Sequence, residues 1–156
     1  MPSTEKLLKE KKISEVVNAR LIHTPSSTPV KNAVELMRRE SSAYVVVADG
    51  KKISGMFTET DVIQKLLGRK VDWNAPIRDF MTKSPTVLHP GDSVGKAIDL
   101  MVEKMFYHVP LVDERGELVR ILSVRTLIRF LAEFYPGEVY NLPPDPHQVA
   151  DTAEGG

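Results

Sequence analysis

Apolar positions along the chain follow two alternating periods, and the alternation occurs twice. Val30, Ala33, Val34 and Met37 recur at helical spacing. "YVVVADGKKISGMF" (Tyr44 to Phe57) then reads as two β-prone runs around Asp49-Gly50, a dipeptide that marks a tight hairpin. Val62, Ile63, Leu66 and Leu67 return to a helical face. Further on, Val94, Ala97, Ile98, Met101 and Met105 predict a helix. "HVPLVDERGELVRIL" predicts a hairpin with the longer turn Asp113 to Gly116, and Val124, Leu127, Ile128, Leu131 and Phe134 predict a closing helix. Each set is preceded by a short strand-like run, "RLIHT" and "PTVLH".

The two sets are copies. "ISEVV" from Ile13 matches "IRDFM" from Ile77 at an offset of 64 (77 − 13), and Val30, Ala33 and "ELM" (Glu35 to Met37) meet Val94, Ala97 and "DLM" (Asp99 to Met101). Near the turns the offset becomes 65, where Thr58 meets Ser123 and Asp61 meets Thr126. Two copies are too few for a solenoid, so they predict a pseudo-symmetric pair. The expected fold is mixed α/β, with two repeats, each a small three-stranded sheet with two helices, packed sheet to sheet because neither copy covers its own sheet. The expected boundaries are a helical extension over 1–9, repeats over 10–70 and 71–135, and a Pro-rich extended or disordered tail over 136–156.

Composition narrows the function. The 156 residues carry 21 basic and 21 acidic side chains, a balance that argues against nonspecific nucleic-acid binding. No cysteine is present, which removes disulfides and thiolate metal sites and suits a cytoplasmic protein. No apolar run reaches the ~20 residues that span a membrane. His23, His89, His108 and His147 lack metal-ligand spacing, and no nucleophile, Walker or dinucleotide motif occurs, so neither a metal nor catalysis is expected.

The repeated lead-in, "MTKSPTVLHPGDSV", "HVPLVDERGEL" and above all "GMFTETD" (Gly55 to Asp61) resemble a tandem pair of CBS (cystathionine-β-synthase) domains, a Bateman module, over roughly residues 10 to 135. "GMFTETD" is similar to that family's ribose-phosphate motif at Gly55, Thr58 and Asp61. The resemblance implies a non-catalytic regulatory module that binds an adenosine-containing ligand: AMP, ADP, ATP, NAD or S-adenosylmethionine. It also implies an adenine wall from the other repeat, formed by Asp92, Ala97, Phe106 and Tyr107; Ala97 and Phe106 equally suit a plain core.

Two readings of Thr58-Glu59-Thr60-Asp61 stand side by side. One is a capping box, with Thr58 and Asp61 closing a helix start. The other is a ligand site. A helix start offers N–H groups to a phosphate, the Thr58 and Thr60 hydroxyls add donors, Asp61 accepts from a ribose, and Gly55 lets a flat group approach the strand. The second copy, "RILSVRT", keeps the hydroxyl as Ser123, replaces the carboxylate by Thr126 and puts Arg120 where the glycine stood. Its cleft is therefore expected to be empty, self-filled or turned to another anion through Arg125. His108 and Arg38 or Arg39 fit either a cleft or the surface.

The helices after the hairpins carry more apolar surface than one sheet covers, with Phe130 off the main stripe and Leu66-Leu67 broadening the other. This predicts a homodimer, which the resemblance places on these helices. Output then passes to an unknown separate effector protein. The alternative is a structural dimerisation module with a vestigial pocket.

Overall fold

A computed structural model describes residues 3–17 and 20–134. The expected tail, 136–156, lies outside the described residues. Helix α1 (Thr4–Glu10) is capped by Ser3, whose hydroxyl accepts from the Lys6 N–H, and sets Leu7 and Leu8 against the second core. The first half then runs β1 (His23–Thr24), α2 (Val30–Glu40), β2 (Tyr44–Asp49), β3 (Lys52–Thr58) and a short helix α3 (Glu59–Asp61) that widens into a π turn over Val62–Leu66. A two-residue strand β4 (Thr82–Lys83) leads to α4 (Val94–Lys104), β5 (His108–Val112), β6 (Leu118–Ser123) and α5 (Val124–Phe134).

Local chemistry explains most of these elements. Helix α2 buries Val30, Ala33 and Met37 and stops at Ser41, which takes a left-handed conformation (φ 49°). The β2–β3 hairpin turns at Gly50 (φ 63°), where glycine carries no Cβ penalty. Val45, Val46 and Val47 are wholly buried, each contributing about 1.5–3 kcal/mol of transfer free energy. Helix α4 is capped by Ser93 and ends at Met105 (φ 57°), which leaves Met105 exposed rather than on the predicted face.

The fold is that of two packed α/β repeats, with the strands shared unevenly. The first sheet has the order β1-β2-β3-β4, because β4 joins its edge against Gly55 and Met56. The second sheet contains β5 and β6, and the predicted strand "PTVLH" is reduced to one parallel bridge, Leu88 to Leu111. The hairpins touch at their tips, where the Leu118 N–H donates to the Lys51 carbonyl, and Ile121 of β6 belongs to the first core.

The lead-ins are exchanged. Ile13 packs in the second core and its N–H donates to the Asp92 carbonyl, while Ile77 packs in the first core and its N–H donates to the Thr28 carbonyl. Each half thus holds the start of the other, which ties the pair into one body.

Two predicted helix faces are corrected. On α5, Phe130 is buried and Ile128 is 60% exposed, the reverse of the expected stripe. A 3.6-residue period admits either rotation, and packing against α4 and β6 selects the one that sinks Phe130. After α3, Leu66 is buried but Ile63 and Leu67 are exposed, because the π turn ends the helix at Leu66 and directs its neighbours outward. No described helix is long and apolar enough to cross a membrane.

Candidate functional site

A cavity of about 360 Å³ opens between the halves. Its floor is the start of α3: Thr58, Glu59, Thr60, Asp61 and Gln64. Thr82, Pro85 and Thr86 form one wall, and Lys104 to His108, at the C-terminal end of α4 and the start of β5, form the other. Its size falls within the range of small-molecule sites, and it combines apolar surface with a few convergent polar groups.

Asp61 is the central polar group, and its side chain is only 6% exposed. It accepts from the Thr58 N–H at 2.9 Å and from the Thr82 hydroxyl at 3.2 Å. The Lys65 ammonium lies 2.8 Å from Oδ1 and also donates to the Phe80 carbonyl at 2.6 Å. A buried carboxylate needs such partners. The capping box is therefore real, with Thr58 and Asp61 closing the helix reciprocally. It does not displace the site reading, since Thr58, Thr60 and Asp61 all line the cavity, with the Thr58 hydroxyl 3.4 Å from the Asp61 carboxylate.

His108 lines the cavity and stacks on Tyr44, with ring centroids 4.8 Å apart. Burial holds the imidazole below its ordinary pKa; Glu59 pulls it up and Arg125 pushes it down. Tyr44 and His108 occupy equivalent strand positions, Tyr44 opposite Thr58 and His108 opposite Ser123. They meet across the pseudo-symmetry axis. Arg38 instead pairs with Glu35, and Arg39 with Glu40, away from the cavity.

Five of the eight predicted residues come together here: Thr58, Thr60, Asp61, Phe106 and Tyr107. Three do not. Asp92 and Ala97 sit at the opposite end of α4. Asp92 precedes the helix, where burial pushes its carboxyl up but the His89 N–H and Lys96 outweigh it and hold it low. Ala97 is wholly buried in the second core. Eleven helical residues span roughly 16 Å, so the N-terminal end of α4 cannot reach a cavity at its C-terminal end.

Gly55 is the third. A Cβ there would lie 2.6 Å from both the Met81 sulfur and the Thr82 carbonyl oxygen. The space the glycine leaves is taken by the Met81 side chain and the Thr82 carbonyl at the start of β4. The structure adds Glu59, Gln64, Thr82, Pro85, Thr86, Lys104 and Met105 to the lining, with Lys65 behind Asp61. The hydroxyls at Thr82 and Thr86, inside the quoted stretch "MTKSPTVLHPGDSV", were the available signal.

In the second half Ser123 and Thr126 place their hydroxyls 3.2 Å apart, and the Thr126 N–H donates to the Ser123 hydroxyl, leaving a plain helix cap. Arg120 and Arg125 are exposed. The Tyr44 hydroxyl donates to the Arg20 carbonyl at 2.7 Å.

The comparisons agree with this architecture. An uncharacterised 17.7 kDa protein of Acidianus ambivalens is 26% identical over 125 residues, covering 80% of this chain and 75% of the relative. Other curated relatives are longer: the chain spans 16% of a meiotically up-regulated protein of Schizosaccharomyces pombe and 42% of an uncharacterised protein of Methanocaldococcus jannaschii. Among solved structures, CBSX2 in complex with AMP superposes with a TM-score of 0.70 at 25% identity, over 80% of this chain and 98% of that one. A CBS domain protein of Pyrobaculum aerophilum complexed with AMP gives 0.68 at 23% identity, over 74% and 89%. The CBS domain model matches twice, over residues 13–68 and 77–133. The exchanged lead-ins, the paired hairpins and this double match make the chain a member of the CBS domain family, built as a tandem pair.

Proposed function

We propose that the chain is a regulatory module, without catalytic activity of its own, that binds one adenosine-containing ligand in the cavity over Asp61 and signals to a separate protein. The observation that carries this reading is the buried Asp61 carboxylate, set in a cavity that Thr58, Thr60, Thr82 and Thr86 also line. A carboxylate accepts from both ribose hydroxyls, threonine hydroxyls donate to phosphate, and the exposed rings of Phe106 and Tyr107 offer faces for a base. The AMP complexes of CBSX2 and the Pyrobaculum protein support the ligand class. AMP, ADP, ATP, NAD and S-adenosylmethionine are the candidates.

One site per chain is expected, because Thr126 cannot replace a carboxylate and its hydroxyl is taken up with that of Ser123. Titration calorimetry with the five candidates is expected to give a single site for at least one of them. Two equal sites would overturn the single-site reading.

The saturation of Asp61 by Thr58, Thr82 and Lys65 favours a second reading, a dimerisation module with a vestigial pocket. That reading predicts no binding at all in the same titration.

Assembly as a homodimer follows from exposed apolar side chains on the helices after the hairpins. Ile63, Leu67 and Ile128 are each more than half exposed, and Ile63 and Leu67 border an open depression with Phe80. Light scattering is expected to give twice the chain mass at micromolar concentration; a monomer at high concentration would overturn the assembly.

A further inference from the structure

The charges around the cavity bear on which adenosine ligand fits, given the binding reading above. Glu59, Asp61, Lys104 and His108 line it, and Lys65 lies behind Asp61. The Asp61 charge is matched by Lys65 at 2.8 Å, and the same ammonium is tied to the Phe80 carbonyl. It is therefore committed to the floor rather than available to a ligand. His108 is held toward its neutral form by burial. Arg125 is near enough to influence His108 but does not line the cavity. What remains is one carboxylate, Glu59, and one lysine, Lys104, whose ammonium also lies 4.0 Å from the Glu103 carboxylate outside the lining. Among the described residues Glu59 forms no ion pair.

A single phosphate placed at the threonine hydroxyls can be met by Lys104. Each further phosphate adds negative charge without adding a cation, and does so beside Glu59. Sites built for polyphosphates gather several cations or a metal around the extra charge. This lining offers a net charge near zero.

We infer that the cavity selects an adenosine ligand carrying one phosphate or none and rejects the triphosphate, with Glu59 as the residue that sets the discrimination. Like charges brought together in a partly desolvated site oppose binding, and the opposition weakens as salt screens it.

The test is titration calorimetry of adenosine, AMP, ADP and ATP in magnesium-free buffer, at low and at high salt, on the parent and on Glu59→Gln. The parent is expected to bind AMP about tenfold or more tightly than ATP at low salt, with ADP between them and the gap narrowing at high salt. Glu59→Gln is expected to shrink the AMP-to-ATP ratio by about fivefold. Because Glu59 is exposed, its melting temperature serves as the check that folding is intact. ATP binding as tightly as AMP to the parent would overturn the selectivity. A ratio unchanged in Glu59→Gln would overturn the assignment to that residue. If none of the four ligands binds the parent, the underlying site reading fails and the selectivity falls with it, an outcome distinct from either of the others.

Discussion

Asp61→Ala is expected to weaken AMP binding by on the order of a hundredfold while leaving a folded protein. A hydrogen bond to a charged acceptor contributes about 1.5–3 kcal/mol, so two ribose bonds set an upper range of about 3–6 kcal/mol. The lower end applies here. Asp61 already accepts from Thr82 and contacts Lys65, so a ribose exchanges partners instead of adding them. About 3 kcal/mol corresponds to roughly two orders of magnitude in dissociation constant. The same substitution removes half of the capping box, at about 1 kcal/mol of stability. Lys65 is one-third exposed and can turn to water once its partner is gone. Thr126→Ala is the matched control: it removes the equivalent buried side chain from the second half and is expected to lower the melting temperature slightly without changing affinity. Calorimetry and thermal denaturation on both variants separate the effects. An Asp61→Ala protein that melts earlier yet binds AMP like the parent would leave only the cap.

Gly55→Ala is expected to destabilise the fold by about 1–3 kcal/mol, the usual cost of overpacking a filled site. The added Cβ meets the Met81 sulfur and the Thr82 carbonyl oxygen at 2.6 Å. A thioether can swing aside; a backbone carbonyl held in the β3–β4 pairing cannot. Strand β4 must therefore shift, and Thr82, which both lines the cavity and bonds Asp61, moves with it. Ligand affinity is expected to fall together with melting temperature. Adding Met81→Ala is expected to recover only part of the loss, because the carbonyl remains. A Gly55→Ala variant with parental stability but impaired binding would show that the glycine clears space for the ligand instead.

Local periodicity made the helices and hairpins legible, because side-chain direction repeats every 3.6 residues in a helix and every two in a strand. Asp49-Gly50 announced its own turn, since few residues accept the conformation Gly50 adopts. The two-fold repeat was visible for the same reason: each half had to spell out the same elements. Thr58 and Asp61 were readable because a helix start uses both residues within three positions, and a cap and a polar site draw on the same groups.

The remaining decisions belong to the tertiary structure. The exchange of Ile13 and Ile77 is made by backbone hydrogen bonds, to Asp92 and Thr28, between segments that are either distant in the chain or unmarked by side-chain pattern. Periodicity could not choose between Phe130 and Ile128, because both lie within reach of an apolar stripe and only the neighbouring helices select one. Nor could it show which end of α4 faces the cavity: Lys104 and Met105 line it, and Asp92 and Ala97 do not. Gly55 gave a correct signal of close approach, but the approaching group turned out to be a strand of the same chain. His108 and the Asp61–Lys65–Phe80 linkage depend on where separate elements meet. Sequence by itself determined the main helices, the two hairpins and the polar helix start, which are properties of short stretches, and the repeat, which is the recurrence of those stretches. The cavity, its charge balance and its walls were decided by tertiary packing, because they arise only where distant stretches come to share one space.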